Sequence, residues 1–173
     1  MDERPLILTL QLDEESQAWF DGQRRRYFPP SRNFLAAHLT LFHALPAALL
    51  DDVNGALREV AQRAGFPVAV SGVRSLGRGV AYTIDSPELK ALRSTLVQRW
   101  AEHLTPQDAQ PLAAHVTIQN KVDVAAARAL YEELREAFVP RTALATGLAL
   151  WRYAGGPWEP EATVAFGSAD PQL

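Results

Sequence analysis

Two copies of one short motif hold the residues of this chain that are best suited to chemistry. The copies read His-Leu-Thr-Leu from His38 and His-Val-Thr-Ile from His115. Each copy follows Leu-Ala-Ala, so the similarity begins at Leu35 and at Leu112. Two core strands could converge on an apolar composition, but a hydrophobic core does not select a shared His-x-Thr. A single copy would be weak evidence, whereas the pair indicates a duplicated functional element.

Paired histidines and threonines suit a reaction at phosphorus. Imidazole titrates near neutral pH, so one histidine can accept a proton while the other donates one. An in-line displacement needs the base and the acid on opposite sides of the phosphorus, which a two-fold pair supplies. Threonine hydroxyls can donate hydrogen bonds to the non-bridging oxygens. We therefore predict that His38 and His115 are catalytic and that Thr40 and Thr117 bind phosphate.

Strand alternation predicts which neighbours share the face of the first motif. Successive side chains of a strand point to opposite faces, so Phe42 should lie on the face of His38 and Thr40. Phe42 is accordingly a candidate for contact with a base or a ribose, with a core position as the alternative. The same alternation places His43 on the other face, where a structural role is expected.

Further candidates for substrate binding lie outside the first motif. Alternation places Lys121 on the face of His115, although an exposed lysine at a strand end is common. An aromatic and basic cluster near the C-terminus could stack on bases or could simply form a packed hairpin. The candidates from this region and from the strand before it are Tyr82, Trp151 and Tyr153, with Arg152 and Trp158 beside them. A run of three arginines, 24–26, is typical of a solvated helix face and less often of an RNA-binding patch.

Periodicity and capping residues predict the elements that position these side chains. Strands are expected at about 5–12, 35–45, 66–76, 80–85, 112–122, 141–151 and 162–166, and helices at about 14–28, 49–64, 87–104 and 124–138. Each strand that contains a motif copy is followed by a helix and two strands, so the order strand–helix–strand–strand occurs twice. We therefore predict an α+β fold built by pseudo-two-fold duplication, in which each lobe is an antiparallel sheet backed by helices. The single domain, 1–173, would divide into lobes of about 1–85 and 86–173, with strand exchange between them left open, and the active site would lie in the cleft between the lobes.

Composition excludes several classes of protein. The chain has 173 residues, of which 47% are hydrophobic and 21% charged, as in ordinary globular domains. It has no cysteine and a formal net charge of −3, which argue against disulfides, thiolate metal sites and extensive binding of duplexes. It contains no P-loop, no His-Glu-x-x-His and no Cys/His cluster, so no cofactor or metal is expected. No signal or membrane segment is recognisable, and a cytoplasmic monomer is expected.

The duplicated motif resembles that of the 2H phosphoesterase superfamily, specifically its 2′-5′ RNA ligase-like, or cyclic phosphodiesterase, branch. The two motif copies carry the resemblance, and the order of elements extends it over nearly the whole chain. It implies a bilobal fold with a central cleft and a metal-independent opening of 2′,3′-cyclic phosphates of nucleotides or RNA ends. A 2′-5′ RNA end ligase and a module that binds nucleotides or RNA ends without turnover are the alternatives. The acidic balance of the chain favours small or end-limited substrates over long polymers.

Overall fold

Seven strands and five α-helices form residues 2–167, the part of the chain that the computed structural model describes. The strands are β1 (Leu6–Leu12), β2 (Leu39–Leu45), β3 (Phe66–Ser75), β4 (Val80–Asp85), β5 (His115–Gln119), β6 (Arg141–Arg152) and β7 (Glu159–Ala165). The helices are α1 (Glu14–Tyr27), α2 (Leu50–Val60), α3 (Pro87–Trp100), α4 (Pro106–Ala109) and α5 (Val124–Ala137). The α+β class is confirmed. Position 1 and positions 168–173 of the expected domain lie outside the described residues.

Side-chain caps fix where three of the helices begin. Asp13 accepts a hydrogen bond from the backbone N–H of Ser16 at the start of α1. Ser86 and Asp123 cap α3 and α5 in the same way. Each cap satisfies a backbone N–H group that the first turn of a helix leaves free. The helix starts expected from these three residues are confirmed.

Several elements are shorter than their apolar patterns suggest, and distant contacts account for the bounds of α2 and β2. Helix α2 ends at Val60, since the backbone just after it pairs with Gly167. Strand β2 begins only at Leu39, because the residues before it are held as a loop by α1. Asp21 of α1 accepts the N–H of Ala37 at 2.7 Å and so fixes the chain immediately before His38.

All seven strands belong to one antiparallel sheet. The order is β2-β1-β6-β3-β4-β5, and β7 pairs with β6 as well. Strand β6 connects the two sides, because its first half pairs with β3 and its second half pairs with both β1 and β7. The two sequence halves therefore do not form separate sheets: β3 and β4, from the first half, pair with β6 and β5 from the second.

One face of the sheet forms the core and the other is left for a binding site. The buried face carries Leu6, Leu8 and Leu10 of β1 with Leu148 and Leu150 of β6, packed against helix residues that include Phe20, Leu57, Leu96 and Trp100. Strands β2 and β5, which carry the two motifs, are the edges of the sheet, and some of their Cα atoms lie within 8 Å of each other. The sheet thus curls until its two catalytic-motif strands face one another across a cleft.

Each of these two edge strands has a backbone carbonyl that no further strand within residues 2–167 pairs with, and a buried arginine donates a hydrogen bond to it. Arg93 of α3 donates from Nε to the oxygen of Leu41 in β2 at 3.0 Å and from Nη2 to the oxygen of Asp108 at 2.6 Å. Arg24 of α1 donates from Nη1 to the oxygen of Thr117 in β5 at 3.0 Å. An edge closed in this way cannot pair with another strand, which keeps the cleft open.

Removal of the Arg93 guanidinium should destabilise the fold. We expect Arg93→Met to lower the free energy of unfolding by about 2–4 kcal/mol, because buried carbonyls lose charge-assisted hydrogen bonds. Urea unfolding followed by circular dichroism measures the change. Arg128→Met, at an exposed position of α5, is the matched control and should be nearly neutral. Equal stability of the two variants would contradict the role given to Arg93.

None of the helices within residues 2–167 is long and apolar enough to cross a bilayer.

Candidate active site

The two motif histidines have the same local geometry. Nδ1 of His38 lies 2.9 Å from the oxygen of Ala36, and Nδ1 of His115 lies 2.7 Å from the oxygen of Ala113. A carbonyl can only accept a hydrogen bond, so each Nδ1 carries a hydrogen. Each neutral imidazole therefore has a free lone pair on Nε2, the form in which it can exchange a proton with a substrate. The two motif copies thus share the tautomer of their histidine as well as their sequence.

A β-bulge follows the threonine in the first motif. Thr40 pairs with Thr9 of β1, whereas Phe42 pairs with Leu8, so Leu41 is an extra residue in β2. Such an extra residue shifts the alternation of every side chain after it. Thr40 keeps the face of Thr9, as predicted, and Phe42 turns to the opposite, buried face.

The second motif has its bulge at the same position. Thr117 pairs with Ala81 of β4, but Gln119 pairs with Val80, so Ile118 is the extra residue in β5. Thr117 therefore lies on the face opposite the core, in the register equivalent to that of Thr40. The pseudo-two-fold relation is preserved even in the irregularity of the strands.

Because of the bulge, the side chain of Phe42 lies in the core and not on the site face. The side chain is fully buried, and its ring centroid lies 5.3 Å from that of Trp100 in an edge-to-face contact. The guanidinium of Arg93 covers the ring at 4.6 Å. Phe42 is thus a core residue that supports β2 from behind, and the expectation that it faces a substrate is wrong.

Tyr82 and Lys121 also lie away from the expected positions. Tyr82 pairs with Val116 on the core face, where it is 4% exposed and donates its hydroxyl to Oε1 of Gln23 at 2.7 Å. Tyr82 therefore lies on the face opposite the motif threonines, beside a separate pocket that Trp19 and Phe138 also line. Lys121 lies beyond the last residue of β5 and has a positive φ of 62°, so strand alternation does not reach it. The prediction that it shares the face of His115 is wrong because the strand ends at Gln119 after the bulge.

His43 is the histidine that the alternation misplaced. Phe42 pairs with Leu8 and Leu45 with Leu6, so His43 and Ala44 together oppose Ile7. Ile7 in turn pairs with Trp151, which lies on the face opposite the core. His43 therefore lies on the site face and not on the core face. The bulge at Leu41 produces this outcome, and a second shift of register returns Leu45 to the core face opposite Leu6; no sequence pattern signals either shift.

Burial and neighbouring cations keep both motif histidines neutral. Desolvation lowers the pKa of His38 to about 4, and the positive charges of Arg24, His115 and His43 lower it further against the hydrogen bond to Ala36. Desolvation is also the main cause that lowers the pKa of His115, with the charges of Arg74 and His43 acting in the same direction. The two imidazoles thus lie among basic groups, in a chain whose net charge is −3.

Two of these cations were not identified as site residues from the sequence. Arg24 stood in a run of three arginines typical of a solvated face, but its side chain is buried against β5. Arg74 pairs with Ala81, whose other partner is Thr117, so the three residues form a row on the site face. The sequence offers one indication of this role: Arg74 lies in β3, which pairs with β4, and β4 pairs with the motif strand β5.

An aromatic cavity of about 450 Å³ adjoins His38. The ring of Trp158 lies 4.6 Å from the imidazole of His38 and 6.2 Å from the ring of Trp151. Nε1 of Trp151 donates to the hydroxyl of Thr9 at 3.0 Å, which fixes the indole beside the motif. Trp151 and Trp158 line the cavity together with exposed Phe34, whereas Tyr153 is not among the lining residues.

No group of three or more His, Cys, Asp or Glu side chains within residues 2–167 is arranged to hold a metal ion.

The shifted pKa of His38 can be measured directly. We expect the Cε1–H resonance of His38 to titrate with a midpoint near 4, well below the ordinary 6.5, because the buried ring resists protonation. Inorganic phosphate should raise the midpoint, since an anion favours the imidazolium. His38 binds a proton more readily in the unfolded chain than in the folded one. The free energy of unfolding should therefore fall as the pH drops from about 6.5 towards 4. Comparison with the spectrum of His38→Asn assigns the resonance, and a midpoint at or above 6.5 would contradict the burial argument.

Comparisons with known proteins agree with this architecture. A family model described as the 2′-5′ RNA ligase superfamily matches residues 12–157. Escherichia coli LigT in its apo form is 18% identical with a TM-score of 0.65, and the match covers 96% of this chain and 99% of LigT. TT0787 of Thermus thermophilus is 18% identical with a TM-score of 0.62, and the match covers 96% and 100% of the two chains. A comparison with curated proteins found no matching sequence. Because the family model spans most of the chain, the protein belongs to the 2′-5′ RNA ligase superfamily of 2H phosphoesterases.

Proposed function

We propose that this protein hydrolyses 2′,3′-cyclic phosphates of nucleotides or RNA ends without a metal. The observation that carries the proposal is the matched pair of imidazoles, each with Nδ1 bonded to a carbonyl and Nε2 free. His115 begins β5 and His38 immediately precedes β2, and some Cα atoms of these two edge strands lie within 8 Å of each other. In-line displacement requires one proton acceptor and one proton donor on opposite sides of the phosphorus, and we assign these two roles to the two imidazoles.

The proton balance of the reaction uses both histidines. One neutral imidazole takes a proton from water as the water oxygen forms a bond to phosphorus. The bond between phosphorus and one ribose oxygen breaks, and the second imidazole delivers a proton to that oxygen. The product is a phosphomonoester beside a free hydroxyl. The second imidazole must be protonated beforehand, and the negative charge of the bound phosphate favours that state.

The residues around the imidazoles suit a phosphate that gains charge. The hydroxyls of Thr40 and Thr117 lie on the site face at equivalent positions, where they can donate to the non-bridging oxygens. Arg24 and Arg74 add positive charge near His38 and His115 respectively. Groups fixed before the reaction stabilise the transition state without reorganising, which is how electrostatic catalysis acts.

The two sides of the cleft differ, and the difference suggests how a nucleotide binds. The side of His38 is aromatic, with Trp151 and Trp158, and offers a stacking surface for a base. The side of His115 is polar and cationic, with Arg74 in the same row of the sheet as Thr117. LigT, which shares the fold, has been solved with 3′-AMP. We infer that this chain also takes a small nucleotide or a nucleotide end, with its base towards the tryptophans.

A substrate screen tests the proposal. The purified protein is incubated with 2′,3′-cyclic AMP, a 2′-5′ dinucleotide, RNA with a cyclic phosphate end and a ribose 2,3-cyclic phosphate that lacks a base. Phosphorus NMR identifies a monoester product. We expect turnover of the cyclic nucleotide, weaker turnover of the substrate without a base, and none by the double variant His38→Asn/His115→Asn. Equal turnover by the double variant, or tight binding of these compounds with no product from the wild type, would refute the proposal.

End joining is the second candidate, because the family is named for a 2′-5′ RNA ligase. A 5′-hydroxyl of RNA would take the place of water, with the same two imidazoles moving the protons. RNA halves with cyclic phosphate and 5′-hydroxyl ends separate the two reactions on a denaturing gel. A longer product would favour ligation, and an unchanged length with an opened cyclic phosphate would favour hydrolysis.

A further inference from the structure

The site face holds one more imidazole than the proposed reaction uses. His43 comes after the bulge in β2 and lies on the same face as Thr40. Its side chain is 44% exposed, so a ligand can reach it. His43 lies on an edge strand whose Cα atoms approach those of β5, the strand that carries His115. A positive charge on His43 lowers the pKa of both His38 and His115, which agrees with a position on their side of the sheet.

A buried carboxylate holds this third imidazole in place. Asp108 is 1% exposed, and its Oδ1 lies 3.1 Å from Nδ1 of His43. Burial raises the pKa of the Asp108 carboxyl, but the hydrogen bonds from His43 and Ala44 outweigh it and the pKa is lowered, so the group stays ionised at neutral pH. An acceptor on Nδ1 leaves Nε2 as the atom directed away from Asp108. The pair has the form of an imidazole oriented by an aspartate.

The carboxylate of Asp108 bonds both the backbone of β2 and the imidazole of His43, and these two roles are separable. The Asp108 carboxylate also accepts the backbone N–H of His43 at 2.8 Å and that of Ala44 at 2.9 Å. Those two bonds satisfy the edge of β2 and would form with any residue but proline at position 43. The imidazole adds a third bond, from Nδ1 to the same buried carboxylate, and its side chain stays exposed. This bond compensates the charge of Asp108 and uses only Nδ1 of the ring, so Nε2 remains for a ligand.

The remaining charges around His43 are compatible with an anion. Besides Asp108, the ionisable groups nearby are His38, His115 and Arg93, whose guanidinium donates to the backbone oxygen of Asp108. The carboxylate is fully enclosed and turned towards the backbone of β2. The surface that the site presents beside His43 is therefore formed by imidazoles and not by the acid.

We propose that His43 is a further phosphate-binding residue: with Nδ1–H donated to Asp108, the ring binds as the imidazolium, whose Nε2–H donates a hydrogen bond to an anionic oxygen of a phosphate ester held between His38 and His115. Asp108 orients the ring and compensates its charge. This inference rests on the proposed function for the identity of the ester, but the contact itself requires only a phosphate anion. His43 would thus add a third phosphate contact to those of the first motif, three positions after Thr40.

Phosphate binding by matched variants tests the inference without any turnover. Calorimetry measures the Kd of inorganic phosphate and of 2′-AMP for the wild type, for His43→Gln and for His103→Gln. His103 is an exposed histidine beyond α3, so its variant removes an imidazole outside the site. We expect His43→Gln to raise both Kd values roughly tenfold or more, as loss of a charge-assisted hydrogen bond does. The His103 variant should bind as the wild type does.

The outcomes separate this inference from the proposed function. Asp108→Asn should weaken phosphate binding less than His43→Gln does, and thermal unfolding checks that it remains folded. Unchanged binding in a folded His43→Gln variant, or no phosphate binding by the wild type, overturns the inference. Phosphate binding that depends on His43 in a protein with no turnover supports the inference and refutes the proposed function. Full hydrolysis by the wild type, together with unchanged phosphate binding by His43→Gln, supports the proposed function and refutes the inference about His43.

Discussion

Replacement of either motif histidine by asparagine is expected to lower kcat on 2′,3′-cyclic AMP by roughly 10²–10⁴-fold, the usual contribution of a general acid or base. Asparagine is the informative substitution because its amide N–H can keep the bond that Nδ1 makes to Ala36 or Ala113. The backbone geometry is then preserved, and only proton exchange at the position of Nε2 is lost. KM should change little, since most contacts to the phosphate remain.

Controls for this experiment are available in the same chain. His103→Asn removes an exposed histidine beyond α3, outside both motifs, and should retain full activity. The double variant His38→Asn/His115→Asn should be only slightly worse than either single variant, because residues that act as a unit are not additive. Wild-type kcat in a folded His38→Asn or His115→Asn protein would show that the histidine moves no proton.

Loss of a motif threonine hydroxyl is expected to lower kcat by roughly 10²–10³-fold, as loss of one preorganised donor to a developing oxyanion does. Valine has nearly the shape of threonine, so Thr40→Val and Thr117→Val keep the packing of the strands and remove only the hydroxyl. The bulges place the two hydroxyls at equivalent positions on opposite edge strands. We therefore expect similar losses from the two variants.

The threonine prediction has its own control. Thr95 is exposed on α3, where its hydroxyl donates to the oxygen of Ala91, and Thr95→Val should leave kcat unchanged. A change confined to KM in Thr40→Val or Thr117→Val would show that the hydroxyl binds the ground state and transition state equally. That result would contradict the stabilisation of charge that we assign to these side chains.

Local patterns identified most of the secondary structure because caps and periodicity act within a few residues. Asp13, Ser86 and Asp123 each cap the helix that begins after them. The α+β class and the antiparallel pairing also agree with short-range patterns. Strand exchange between the sequence halves, which local patterns leave open, does occur: the pairing of β3 with β6 and of β4 with β5 is a long-range choice that no local pattern encodes.

The chemical groups are evident from the sequence: two imidazoles and two hydroxyls, repeated at one spacing in two His-x-Thr motifs. Tertiary structure decided the direction of the side chains after each threonine. A bulge is set by the partners of a strand, and the partners that cover the edge of β2, Arg93 and Asp108, lie 52 and 65 residues along the chain from the atoms they bind. These contacts turn Phe42 into the core and His43 onto the site face, because one extra residue reverses the alternation after it.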